Sequence, residues 1–202
     1  LRLRKQTKNL AGGIEIKKSG RNYRFALSEL KTKGAFVFIF ISFLVLVWGG
    51  FNNTFFVLFL KSLGWSLNKI LLFNSLLSAA FLPISFWIIK QVGKAKSETN
   101  VSRGSQLAGV FSFLLGGLWS VLSFYWAFFI MLGSSIGDLI TGSGRSGLLS
   151  LKLKKYPEES AAIDTIFSPL ATAFGAFFGG LIIPLLGYQP IFAFFGVLLF
   201  GA

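Results

Sequence analysis

Three ionisable side chains stand in stretches otherwise almost empty of charge. Asp138 ends an uncharged run over 104–137, Arg145 lies seven residues before Lys152, and Asp164 lies six after Glu158. Ionised groups inside long apolar segments are costly, so they mark function or pair with one another. Asp138 is the deepest, 14 residues before Lys152, or roughly 20 Å along a helix. An ionised carboxylate there suits proton coupling or a cationic solute. The plainer reading is a protonated acid bonded to a neighbouring helix beside Gly137 and Thr141. Arg145 and Asp164 are expected at equal depth on adjacent antiparallel helices, which predicts a structural ion pair.

A second group of polar residues interrupts the first apolar run. Trp48-Gly-Gly-Phe-Asn52-Asn53-Thr54 places two glycines, two amides and a hydroxyl together. Buried amides must find partners, and transporter sites are often built at broken helices. Asn74, Ser75 and Ser78 on the next run are candidates to face the same cavity. The candidate substrate-binding set is therefore Trp48, Asn52, Asn53, Asn74 and Asp138. The competing reading is an amide pair that only bonds neighbouring helices.

Catalytic parts are scarce. The 202 residues include no Cys, no His and only 7 acidic residues. No thiol nucleophile or Cys/His metal site can be assembled, and acid–base chemistry lacks its usual groups. No cofactor, no metal and no enzyme activity is expected. Gly142-Ser-Gly144 lacks the spacing and the lysine of a phosphate loop.

These residues must be held by membrane helices. Hydrophobic residues make up 53% and charged residues 13% of the chain, about half the charge of a soluble domain. Mean hydropathy is +0.70. The net charge of +13 falls between apolar runs, as loop charges do, so it does not point to nucleic acid. Residues 1–33 hold ten Lys/Arg against Glu15 and Glu29. They read as a basic cytoplasmic linker with a short amphipathic helix near 23–30, the alternative being a polybasic lipid-binding patch.

Apolar runs follow over 35–60 and 70–89, the second with a kink expected at Pro83. A polar loop is expected over 90–106. The long uncharged stretch after it is either one helix or a hairpin. Basic residues flank it on both sides, and only two crossings put both loops on the inner side. Trp119, Tyr125 and Trp126 would then form an interfacial belt. Helices over 106–122 and 124–149 are predicted, then one over 159–186 started by Pro157-Glu158-Glu159. A turn over 187–190 leads into a last span over 190–202. Both ends read as those of a fragment. Eighteen of the 20 basic residues then lie inside and only Lys61 and Lys69 outside. Small residues four apart, at Ser112/Gly116, Gly133/Gly137/Thr141 and Ala171/Gly175/Gly179, predict close helix packing.

The sequence resembles the C-terminal half of the major facilitator superfamily. Residues 156–196 carry the likeness, with Tyr156-Pro-Glu-Glu-Ser-Ala-Ala before a helix, then Phe174-Gly175, Gly179-Gly180, Pro184, Leu186-Gly187-Tyr188, Phe192 and Phe194. Residues 59–66 are similar to the turn after that family's seventh helix. The resemblance implies half of a twelve-helix fold, with 34–202 as six transmembrane helices, the last truncated, and 1–33 as the central loop. It also implies a partner, the six-helix N-terminal half of the same chain. The expected function is secondary transport of a small solute by alternating access, as symporter or antiporter, in a plasma or inner membrane with the tail cytoplasmic. Gly93-Lys94 matches the end of the family's gating motif, but Phe86, Lys90 and Gln91 depart from it. The rival readings are a non-transporting receptor-like or assembly protein on the same fold and, less well supplied with acids, a lipid enzyme.

Overall fold

The computed structural model describes residues 23, 25–26, 28–31, 34–92 and 96–202. Six helices make up the main body: α1 (Phe36–Ser62), α2 (Leu67–Val92), α3 (Ser97–Gly117), α4 (Phe124–Lys152), α5 (Pro157–Leu186) and α6 (Tyr188–Phe200). A 3-10 turn, Trp119–Val121, links α3 to α4. No strand occurs among the described residues. Residues 23, 25–26 and 28–31 are also helical, and Ala26 and Leu30 are buried against Leu148, Leu149 and Leu153.

Four of the helices, α1, α2, α4 and α5, are long and apolar enough to cross a membrane. The chain therefore has the character of an integral membrane protein. The other two fall short for different reasons. α6 has 13 residues, or about 20 Å, against a hydrocarbon core of about 30 Å. α3 has 21 residues but carries Glu98, Asn100, Arg103 and Gln106 in its first half.

The uncharged stretch is a hairpin. α3 stops at Gly117, and Ser123 caps α4 by accepting a hydrogen bond from the Trp126 amide at 3.4 Å. An N-cap serine satisfies one of the donors a helix start leaves free. Side-chain contacts then show which turns share an end of the bundle. Trp65 stacks on Phe124 with ring centroids 5.9 Å apart, and Phe59 meets Tyr188 at 5.6 Å. At the other end, Lys152 Nζ lies 3.0 Å from Glu98. The two basic turns are thus neighbours, as two crossings between them require.

Some boundaries differ from the sequence reading. The polar segment before 106 is not all loop, since α3 starts at Ser97. Glu98 in its first turn suits the positive end of the helix dipole, and Asn100 Nδ2 donates to the Val92 carbonyl at 3.0 Å. Pro83 lies inside α2, with helix on both sides of it. The turn expected over 187–190 shrinks to Gly187, whose φ of 76° is open to glycine at no steric cost. Gly93 and Lys94, proposed as a gating loop, lie outside the described residues, as does most of the basic tail.

α3 is central and packs on α4, α6 and α1, while α2 lies on α4 and α5 lies on α1. Aromatic rings fill the core, with Trp48, Phe51, Phe59 and Phe192 all buried. Glycines set the close approaches. A Cβ on Gly137 would lie 2.6 Å from the Ala108 amide, and one on Gly109 2.5 Å from that of Phe200. Ser105 and Ser112 on α3 donate to the Leu199 and Phe192 carbonyls of α6 at 2.8 and 2.9 Å. Small residues and hydroxyls are the usual means of joining helices where lipid offers no hydrophobic drive.

The pairing has an internal regularity. Exchanging α1 with α4, α2 with α5 and α3 with α6 carries the α1–α5 pair onto α4–α2 and leaves α3–α6 and α1–α4 in place. The match is incomplete, because the most extensive contact, α3–α4, maps onto the slight α1–α6 contact, and α1 packs on α3 whereas no α4–α6 contact of similar extent occurs.

Candidate functional site

Three polar stripes converge on one cleft. On α1, Ser42, Val45, Leu46, Gly49 and Asn53 recur at three- and four-residue spacing, which is one helix face. On α4 the same spacing joins Asp138, Thr141, Gly142 and Arg145. Ser168 and Thr172 of α5 form the third side, and the partly open cavity measures about 240 Å³. Its walls stand close because α1 and α5 touch backbone to backbone. Gly50 faces the main chain of Thr172, and Gly175 faces that of Val47.

Arg145 is buried although it is charged, with 9% of its side chain exposed. Its Nε donates to Asp164 Oδ1 at 2.8 Å, and Ser146 Oγ donates to Asp164 Oδ2 at 2.8 Å. The guanidinium carbon lies 5.7 Å from the centre of the Phe167 ring. Its Nη1 is buried and has no hydrogen-bond partner among the described residues. Asp138 sits two turns away on the same face, roughly 10 Å along the axis at 1.5 Å per residue. Its Oδ1 is likewise buried without a partner. The nearby hydroxyls are spent locally, since Thr141 donates to the Gly137 carbonyl and Ser42 to that of Phe38, both at 2.9 Å. Asp138 and Arg145, which both line the cleft, thus each keep one buried polar atom without a partner.

The other polar residues singled out from the sequence go elsewhere. Trp48 and Asn52 lie on a different face of α1 from Asn53. Trp48 is fully buried among Phe51, Phe192 and Phe195, and its Nε1 reaches Ser134 Oγ at 3.4 Å. Asn52 Nδ2 lies 3.8 Å from Met131 Sδ. Both therefore join α1 to α4 instead of lining the cleft. Asn74 is half-buried on α2 and is not part of the cleft wall. Asn53, Asp138 and Arg145 are brought together. Ser42, Ser168 and Thr172 escaped the sequence reading, although Asp164, Ser168 and Thr172 form a stripe at intervals of four that was open to view. No group of three or more potential metal ligands occurs among the described residues.

Comparison with protein-family models, with curated sequences and with solved structures finds no match.

Proposed function

We propose that this chain is the six-helix half of a secondary transporter that moves a small solute by alternating access, coupled to protons through Asp138. The cleft carries the reading, because Asn53, Asp138 and Arg145 line one cavity inside an apolar bundle. Polar residues facing an aqueous cavity inside an apolar bundle mark a solute or ion path. On this reading all six helices cross a plasma or inner membrane with the basic tail cytoplasmic. A second six-helix unit closes the open side of the cleft. No catalytic step and no cofactor is involved.

The test uses single cysteines, which the chain itself lacks. In the full-length protein with any other cysteines replaced, Ser168→Cys and Asn53→Cys are exposed to an impermeant thiol reagent in right-side-out and inside-out vesicles. Alternating access predicts labelling from both sides. Labelling from one side alone under every gradient sinks the carrier reading and favours a non-transporting membrane protein. For a solute the wild type accumulates, Asp138→Asn should abolish uphill accumulation yet keep exchange at saturating solute.

A further inference from the structure

We propose that the cleft takes a small zwitterion, its ammonium group on Asp138 and its carboxylate on Arg145. The inference deepens, and rests on, the transporter reading of this cleft. Arg145 supplies the first observation. Its Nε is committed to Asp164, which is itself held by Ser146. Its Nη1 stays buried and unpaired, and Arg145 lines the cavity. A guanidinium with one free edge is a carboxylate receptor, because the charged donor bonds strongly and directionally. Asp138 supplies the second, an unpaired buried acceptor on the same wall.

The spacing makes these one site. Roughly 10 Å of helix separates the two, their unpaired atoms do not bond each other, and a solute can bridge them. A plain amine would satisfy Asp138 and leave Nη1 unpaired. A plain carboxylate would do the reverse and face Asp138 as well. The zwitterion gains a charge-assisted hydrogen bond that either fragment lacks, which should tighten its binding by about ten-fold or more. Size narrows the class further. At about 240 Å³ the cavity lies below the range of drug-sized pockets, about 300–1,000 Å³.

Equilibrium binding to the full-length protein in lipid nanodiscs tests this. The probes are glycine, β-alanine and γ-aminobutyrate, each set against the amine and the carboxylate of the same chain length. At least one zwitterion should bind ten-fold or more tightly than both of its fragments. Arg145→Lys retains a charge for Asp164 but removes Nη1 and the planar fork that could hold a second carboxylate, and should erase the preference over the amine. Asp138→Asn should erase the preference over the carboxylate. The wild-type comparison stands even if a variant fails to fold. If a fragment binds as tightly as its zwitterion, or no zwitterion binds, the proposal is wrong, and two-sided labelling of Ser168→Cys would leave the carrier reading standing. If zwitterions bind through both ends but the cleft opens to one side only, the site stands and the carrier reading falls.

Discussion

Arg145 and Asp164 are unequal partners. Arg145 exposes 9% of its side chain and Asp164 30%, and only Asp164 has a second bond, from Ser146. Removing Arg145 leaves a carboxylate that keeps one donor and some solvent. Removing Asp164 strands a buried guanidinium, the more costly event. Asp164→Ala should therefore destabilise by about 3 kcal/mol and Arg145→Ala by less, with the double variant milder than the sum of the two. Thermal unfolding in detergent across the cycle measures this, and strictly additive losses would show that the pair contributes no coupling. The pair itself was legible from spacing, since Lys152 and Glu158 mark the ends of α4 and α5 and so set the depth of the residues between. That Arg145 also fronts a cavity was not legible, because the direction of a guanidinium depends on the neighbour that takes its Nε.

At the level of the helices, glycine decides which pairs meet. A Cβ on Gly175 would strike the backbone of Val47 on α1, whereas one on Gly180 finds only Phe55 Cζ at 3.8 Å. Gly175→Ala should force α1 and α5 apart and cost about 1–3 kcal/mol, as overpacking does. Gly180→Ala should be neutral or stabilising by up to about 1 kcal/mol through helix propensity. Melting temperatures of the two variants compare these directly, and equal values would mean that the α1–α5 contact does not limit stability. The stripe Ala171/Gly175/Gly179 announced a packing face, but not its partner. Small residues show only that something approaches, and several helices offered matching stripes. Helix starts were less legible than helix cores. Polar Ser97 and Glu98 look like loop in composition, yet an acid at a helix start and the Glu98–Lys152 contact at 3.0 Å favour helix there.

For the whole molecule, the arrangement of turns makes a labelling pattern. Trp119, Tyr125 and Trp126 are 40%, 75% and 58% exposed at the α3–α4 turn, and Ser123 within it is exposed as well. Ser150 lies exposed at the opposite end, close to Lys152, Lys154 and Lys155. With basic turns facing the cytoplasm, Ser123→Cys should react with an impermeant reagent in intact cells. Ser97→Cys and Ser150→Cys should react only after permeabilisation. External labelling at Ser150 would overturn the six-crossing topology and the cytoplasmic tail together.

Composition and periodicity by themselves determined an all-helical chain of membrane character, the hairpin at Ser123 and the depth shared by Arg145 and Asp164. These follow from the cost of exposing peptide groups to lipid, from the inward bias of basic loops and from a fixed rise per residue, all of which act along the chain. The tertiary structure alone decided which face each helix turns inward. Asn52 and Asn53 are neighbours in sequence, yet one step of a helix rotates the side chain by about 100°. Asn52 accordingly meets Met131 in the core, while Asn53 lines the cleft. In a helix apolar on nearly every side, hydrophobicity cannot choose between those faces. The choice falls to glycine contacts with α5 and to aromatic packing with α6, which join residues more than a hundred positions apart.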